Sequence, residues 1–174
     1  SRRAAEQHRE EIEARGAAHE LPAMYKLRTS PNRARVAQLQ GGSADTEAAV
    51  KAALGWLATN QSPDGRWDAS QLESGRENNA LGQNRRGAGT EADTGVTGLA
   101  LLAFLGSGHT HLRGDHQATV ARGLEFLLRV QGVDGNLADK ADVFAHMYCH
   151  GMAALALSEA YAMSGDQRLL AGVR

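Results

Sequence analysis

The chain has 174 residues, a length suited to one domain rather than two. It contains 31 Ala and 20 Leu against 8 Val and a single Ile. Because Ala and Leu favour helices and strand cores need β-branched residues, this composition predicts an all-α fold. An apolar content of 42% excludes a disordered chain, and a net charge of −1 gives no strong attraction to nucleic acid or anionic membranes.

Residues 1–42 are predicted to be a charged helical arm or linker that precedes the domain at 43–174. The segment Arg2–Arg15 has few apolar residues and indicates a solvated helix or linker. The first twenty residues are charged throughout, so they do not resemble a signal peptide. No apolar run approaches the ~18 residues of a membrane span, so we expect no such span in this segment.

Two amphipathic helices, each ending in a tight turn, are predicted from an internal repeat. Asp45–Ala69 aligns with Asp115–Asp139 without a gap, at eight identities in twenty-five positions. Asp45 and Asp115 are predicted to cap the two helices. The remaining shared positions are predicted to be structural: Trp56, Gln61, Asp64, Gly65 and Trp67 in the first copy, and Phe126, Gln131, Asp134 and Gly135 in the second.

A second type of helix follows each turn. Thr94–Leu105 and His150–Tyr161 are rich in Gly and Ala and almost free of charge, which predicts buried helices. Asp166–Arg174 is predicted to begin a third half-exposed helix. The alternation of half-exposed and buried helices is typical of an array of helical hairpins.

The repeat carries a family resemblance in Trp56-Leu57-x-x-x-Gln61-x-x-Asp64-Gly65-x-Trp67. This pattern resembles the QW repeat of squalene–hopene cyclases and of the wider terpenoid-cyclase and protein-prenyltransferase superfamily. The resemblance implies a partial (α/α) toroid, with inner helices around a cavity and outer helices around them. A closed ring of that family has six hairpins and this chain supplies two, so we expect further chain or a partner to cover the open apolar edge.

The resemblance also implies a place for a catalytic acid at the start of the first inner helix. Cyclases of the family carry an Asp-x-Asp-Asp-Thr-Ala stretch there, and Asp93 and Thr94 match it. Ala92, however, stands where the family has its proton donor. Glu91 and Asp93 therefore remain as candidate catalytic acids, and the alternative for Asp93 is a helix N-cap.

A candidate metal site lies at the start of the second inner helix, where Cys149, His150 and His146 occur together. The superfamily includes prenyltransferases that hold zinc with Asp, Cys and His, and a thiolate with imidazoles suits that ion. The alternative is a buried thiol whose neighbouring histidines bind loop carbonyls. No other cofactor is expected.

Two loop segments carry weaker signals. His109, His111 and His116, together with Asp115, indicate either a surface metal site or a solvated turn. Gly82–Gly89 contains two arginines in glycine-rich backbone, which suits either a flexible loop or an anion cradle.

The leading prediction is a non-cyclising or degenerate member whose concave face binds an apolar ligand or a protein segment. The alternatives are an isoprenoid cyclase and a zinc-dependent prenyl-type transferase, so enzyme activity stays open. With only 3 Phe, 3 Tyr and 2 Trp, the chain has few aromatic side chains to stabilise carbocations in a cyclase pocket.

Overall fold

A computed structural model describes residues 20–72, 79–80 and 82–173. These residues are mainly helical, which confirms the all-α prediction; the only strands among them are β1 (Asn79–Ala80) and β2 (Gln83–Asn84), paired antiparallel. The Arg2–Arg15 prediction lies outside the described residues. The described helices are α1 (Ala23–Lys26), α2 (Arg33–Leu39), α3 (Ala44–Thr59), a 3-10 helix (Ala88–Glu91), α4 (Asp93–Gly106), α5 (Gln117–Val130), α6 (His146–Ser164) and α7 (Gln167–Val173).

The N-terminal cap of α3 differs from the prediction. Ser43 caps the helix: its hydroxyl accepts from the Thr46 N–H at 3.2 Å, and the Thr46 hydroxyl accepts from the Ser43 N–H at 2.9 Å. Asp45 lies two positions past this cap, in the first turn of the helix. Asp115 also precedes the cap position of α5, which has no side-chain cap. The predicted capping role of both aspartates is therefore wrong.

The inner helices α4 and α6 form the most extensive helix contact of the described chain. Their backbones approach closely because glycine faces the partner helix. A Cβ placed on Gly98 would lie 2.6 Å from the Met152 carbonyl oxygen, and one on Gly95 would lie 3.0 Å from the Cys149 Sγ. Another face of α4 packs into the main core, where Leu101 and Phe104 are fully buried.

The two turns that end α3 and α5 use the same hydrogen bonds. Gln61 Nε2 donates to the Gly65 carbonyl at 2.8 Å and to the Thr119 carbonyl at 3.0 Å. Gln131 Nε2 donates to the carbonyls of Gly135 and Gly172. Each glutamine therefore bonds both its own turn and the next outer helix, which is α5 for Gln61 and α7 for Gln131.

Aromatic side chains of the repeat have unequal surroundings. Trp67 is fully buried and donates from Nε1 to the Leu57 carbonyl at 2.8 Å. Its ring centroid lies 6.0 Å from that of Phe104, with the two ring planes tilted by 38°. Phe126 is buried on α5, whereas its counterpart Trp56 is 55% exposed on α3. Position in the array, and not the repeated sequence, sets the burial of these two rings.

The described part of the predicted arm packs on the helical array. Tyr25 of α1 joins the main core, and Arg28 forms an ion pair of 2.6 Å with Glu159 of α6. Arg33 of α2 pairs with Glu47 of α3 at the same distance. Among the described residues, no helix combines the length and the apolar character needed to cross a bilayer.

Candidate functional site

An open apolar groove of about 530 Å³ runs between the inner helices. Val96 and Leu99 of α4 form one wall, and Tyr148 and Met152 of α6 form the other. Leu99 is 55% exposed and Tyr148 is 73% exposed, so both sides present large apolar groups to solvent. The burial predicted for the inner helices is therefore incomplete, because this face of each helix remains open.

Small groups lie between the two walls, where Gly95 meets Cys149. The Cys149 side chain is 1% exposed. Burial raises the pKa of its thiol, and hydrogen bonding to the Gly95 backbone and the Thr94 side chain offsets this only in part. The thiol is therefore held in its neutral form, which is a poor nucleophile.

Asp93 begins α4 but is directed toward the preceding loop. Its Oδ1 accepts from the Ala69 N–H at 2.8 Å, and its Oδ2 lies 3.3 Å from Arg66 Nη1. It makes no capping hydrogen bond to its own helix, so the N-cap prediction is wrong. Burial raises the pKa of the Asp93 carboxyl, against the lowering effect of the Ala69 hydrogen bond and the Arg66 charge.

The two candidate acids do not line the groove. Glu91 is exposed in the 3-10 helix, and the groove wall nearest to these residues is formed by Ala92 and Gly95. The structure places Glu91 and Asp93 near each other at the start of α4. Their catalytic role stays a prediction.

Arg66 organises a cluster of carboxylates that the sequence reasoning missed. It lies 3.0 Å from Asp68, 3.3 Å from Asp93 and 3.7 Å from Asp64. A hydrogen bond from the Ser70 hydroxyl lowers the pKa of Asp68. The alternating charges of Asp64, Arg66 and Asp68 are the one sequence feature that indicates this cluster. Nothing in the sequence places Asp93 beside them.

The three candidate zinc ligands point to different partners. His146 Nε2 lies 3.0 Å from Asn136 Nδ2, and His150 Nδ1 accepts from the Leu137 N–H at 3.2 Å. Cys149 is instead buried against α4. Across residues 20–72, 79–80 and 82–173, no three His, Cys, Asp or Glu side chains are grouped so that they hold a metal ion. The zinc site stays a prediction, and the present arrangement does not fit one.

The histidines of the segment after α4 do not lie together: His109 and His116 contact each other, and His111 lies apart from them. The rings of His109 and His116 meet edge to face at 4.9 Å, and burial lowers the pKa of His109 with a further contribution from His116. His111 points elsewhere, with Nε2 3.0 Å from the Asp166 carboxylate. Its side chain is only 4% exposed, so His111 is not part of a surface metal site.

The glycine-rich segment brings one of its two arginines to the groove. Arg85 lines the groove, with its guanidinium carbon 5.8 Å from the centroid of the Phe144 ring. Arg86 is exposed in the left-handed region at φ 50°, and its N–H donates to Asn84 Oδ1 at 2.9 Å. The two arginines do not both face the groove.

A comparison with known families identifies the chain. A family model described as the squalene-hopene cyclase C-terminal domain matches residues 34–148. The chain belongs to this family. Searches of curated proteins and of solved structures give no match.

The match to the squalene-hopene cyclase C-terminal domain covers the outer helices α3 and α5, the inner helix α4 and the groove walls as far as Tyr148. It confirms the family resemblance drawn from the repeats. The chain is therefore a squalene-cyclase-like helical repeat protein. The match also begins inside α2, ahead of the domain start predicted at residue 43.

Proposed function

We propose that this cyclase-like repeat protein binds an apolar small molecule in the groove between α4 and α6 and does not cyclise it. The observation that carries the proposal is an apolar groove with no acidic side chain among its described lining residues. Protonation of an alkene requires an acid in contact with the substrate. The nearest candidate, Asp93, is engaged with Arg66 and the Ala69 N–H.

The size and surface of the groove support ligand binding. Small-molecule sites have volumes of about 300–1,000 Å³, a range that includes this groove. Exposed Leu99, Phe144 and Tyr148 line the groove and form an apolar surface that gains about 25 cal/mol for each Å² removed from water. An apolar ligand covering these side chains would therefore stabilise the bound state.

The test is a fluorescence titration of the chain with Nile red, a neutral apolar dye. We expect saturable binding to the wild type and its loss in Leu99→Asp, because a carboxylate in the groove wall penalises apolar contact. Leu99 is already half-exposed, so this variant should stay folded. Val133→Asp is the matched control, since Val133 is fully exposed and outside the groove. Equal dye binding by all three proteins would contradict the proposal.

Isoprenoid cyclisation is a second candidate, favoured by the raised pKa of the half-buried Asp93. Its test is incubation of the chain with squalene, followed by gas chromatography of the products. A cyclic product that is lost in Asp93→Asn and kept in Asp139→Asn would establish cyclisation and overturn the non-cyclising proposal. Unchanged squalene would support the non-cyclising proposal.

A further inference from the structure

Arg85 is the one charged side chain among the described residues that line the groove. Its guanidinium lies over the Phe144 ring, and its buried Nε has no hydrogen-bond acceptor. Among the residues that the structure describes, Arg85 forms no ion pair. An arginine with an unpaired Nε donor therefore lies at the wall of an apolar groove.

This arrangement favours an anionic group on the ligand. A buried donor without an acceptor costs free energy, and a guanidinium binds oxygen acids through charge-assisted hydrogen bonds. Because Arg86 is exposed and does not line the groove, the described lining residues offer a single positive charge. One positive charge balances a carboxylate monoanion, whereas a phosphate dianion would leave one negative charge uncompensated against apolar walls.

We propose that the ligand is a long-chain monocarboxylate, with its chain along Val96, Leu99 and Met152 and its carboxylate on Arg85. This inference rests on the proposed apolar-ligand function and adds the chemical class of the ligand. Packing on Phe144 limits the freedom of the guanidinium, so less side-chain entropy is lost when the carboxylate binds.

The experiment measures displacement of Nile red by decanoate, 1-decanol and decyl phosphate, which share one chain length. We expect decanoate to bind the wild-type chain about 10- to 100-fold more tightly than 1-decanol, because one charge-assisted contact is added. Arg85→Gln should reduce the affinity for decanoate to that for 1-decanol and leave the affinity for 1-decanol unchanged. Arg86→Gln is the matched control and should behave as the wild type.

The possible results separate this inference from the proposed function. Equal affinities of the wild type for decanoate and 1-decanol, or a preference for decanoate that survives in Arg85→Gln, would overturn the carboxylate assignment and leave apolar binding intact. Tighter binding of decyl phosphate than of decanoate would also overturn it, in favour of a dianionic head group. If Leu99→Asp still bound Nile red as the wild type does, the proposed function and this inference would fall together.

Discussion

Asp166, at the start of α7, forms a charged cluster with Arg168 and His111. Asp166 accepts from Arg168 Nη2 at 2.6 Å and interacts with His111 Nε2 at 3.0 Å. Burial alone raises the pKa of Asp166, but hydrogen bonds from Arg168 and His111 outweigh it and lower the pKa to about 2. The folded state therefore favours the ionised carboxylate.

Stability should depend on this carboxylate in acid. Because its pKa in the folded state lies below the ordinary 3.8, its stabilising effect is present above about pH 4 and lost as the pH falls toward 2. The effect is on the order of 1–2 kcal/mol, since Arg168 is partly exposed and its charge is screened. We expect Asp166→Asn to be less stable than the wild type at neutral pH and to lose less stability on acidification.

Urea unfolding at about pH 7 and about pH 3 measures this difference. Asp139→Asn is the control, because Asp139 is exposed and adopts a positive φ of 50°, which Asn also tolerates. Equal loss of stability in the wild type and in Asp166→Asn would show that Asp166 does not contribute in acid.

Like Asp166, His111 stabilises the folded protein less as the pH falls. Burial lowers the pKa of His111 and outweighs the opposing effect of the Asp166 carboxylate. A histidine whose pKa is lowered by folding stabilises the protein fully above about pH 6.5, and this contribution is lost as the pH falls. His111 was assigned from sequence to either a surface metal site or a solvated turn. In the structure it is buried and connects the loop after α4 to the start of α7.

At the scale of elements, the existence of the helices follows from sequence and their ends do not. Thr94–Leu105 was predicted, and α4 extends from Asp93 to Gly106. The second inner helix begins four residues before the predicted His150. Apolar periodicity is a property of many residues together, whereas a helix end depends on a few capping contacts such as that of Ser43.

Adding one methyl group at the close contact of α4 with α6 should lower the stability of the fold. In Gly98→Ala the new Cβ meets the backbone of Met152, so the helices must separate and stability should fall by about 1–3 kcal/mol. Gly151→Ala is the matched control in α6, because its Cβ would enter open space. The control should be unchanged or gain up to about 1 kcal/mol from helix propensity.

Thermal or urea unfolding of the two variants makes the comparison. Equal stability of Gly98→Ala and Gly151→Ala would contradict the tight contact between the inner helices. A loss confined to Gly98→Ala would support it.

At the scale of the whole molecule, the helical array includes chain that the sequence reasoning assigned to a separate arm. Tyr25 is 8% exposed in the main core, and the Arg28 carbonyl lies against Gly108 after α4. The charge and proline content of residues 1–42 indicated a charged helical arm or linker. Local composition does not report contacts with residues far along the chain, so it gave no sign that Tyr25 packs in the core.

The segment around Tyr25 should therefore contribute to the stability of the fold. Tyr25→Ala removes a buried ring and should lower the free energy of unfolding by about 2–4 kcal/mol. Met24→Ala is the neighbouring control, because Met24 is 74% exposed and should change stability by less than about 0.5 kcal/mol. Denaturant unfolding checks both, and a Tyr25→Ala variant as stable as the wild type would support the interpretation of this segment as an arm or linker.

The sequence by itself determined the helical class and the repeated hairpin, because these depend on composition, on periodicity and on residues repeated at a fixed offset. Its resemblance to the cyclase family came from the motif of residues 56–67. It also named Asp93, Cys149 and the glycine-rich loop as features of interest. Only the tertiary structure decided that Asp93 pairs with Arg66, that Cys149 is buried against Gly95, and that Arg85 reaches the apolar groove. Each of these facts depends on which distant residues meet after folding, and one sequence carries no local signal for such contacts.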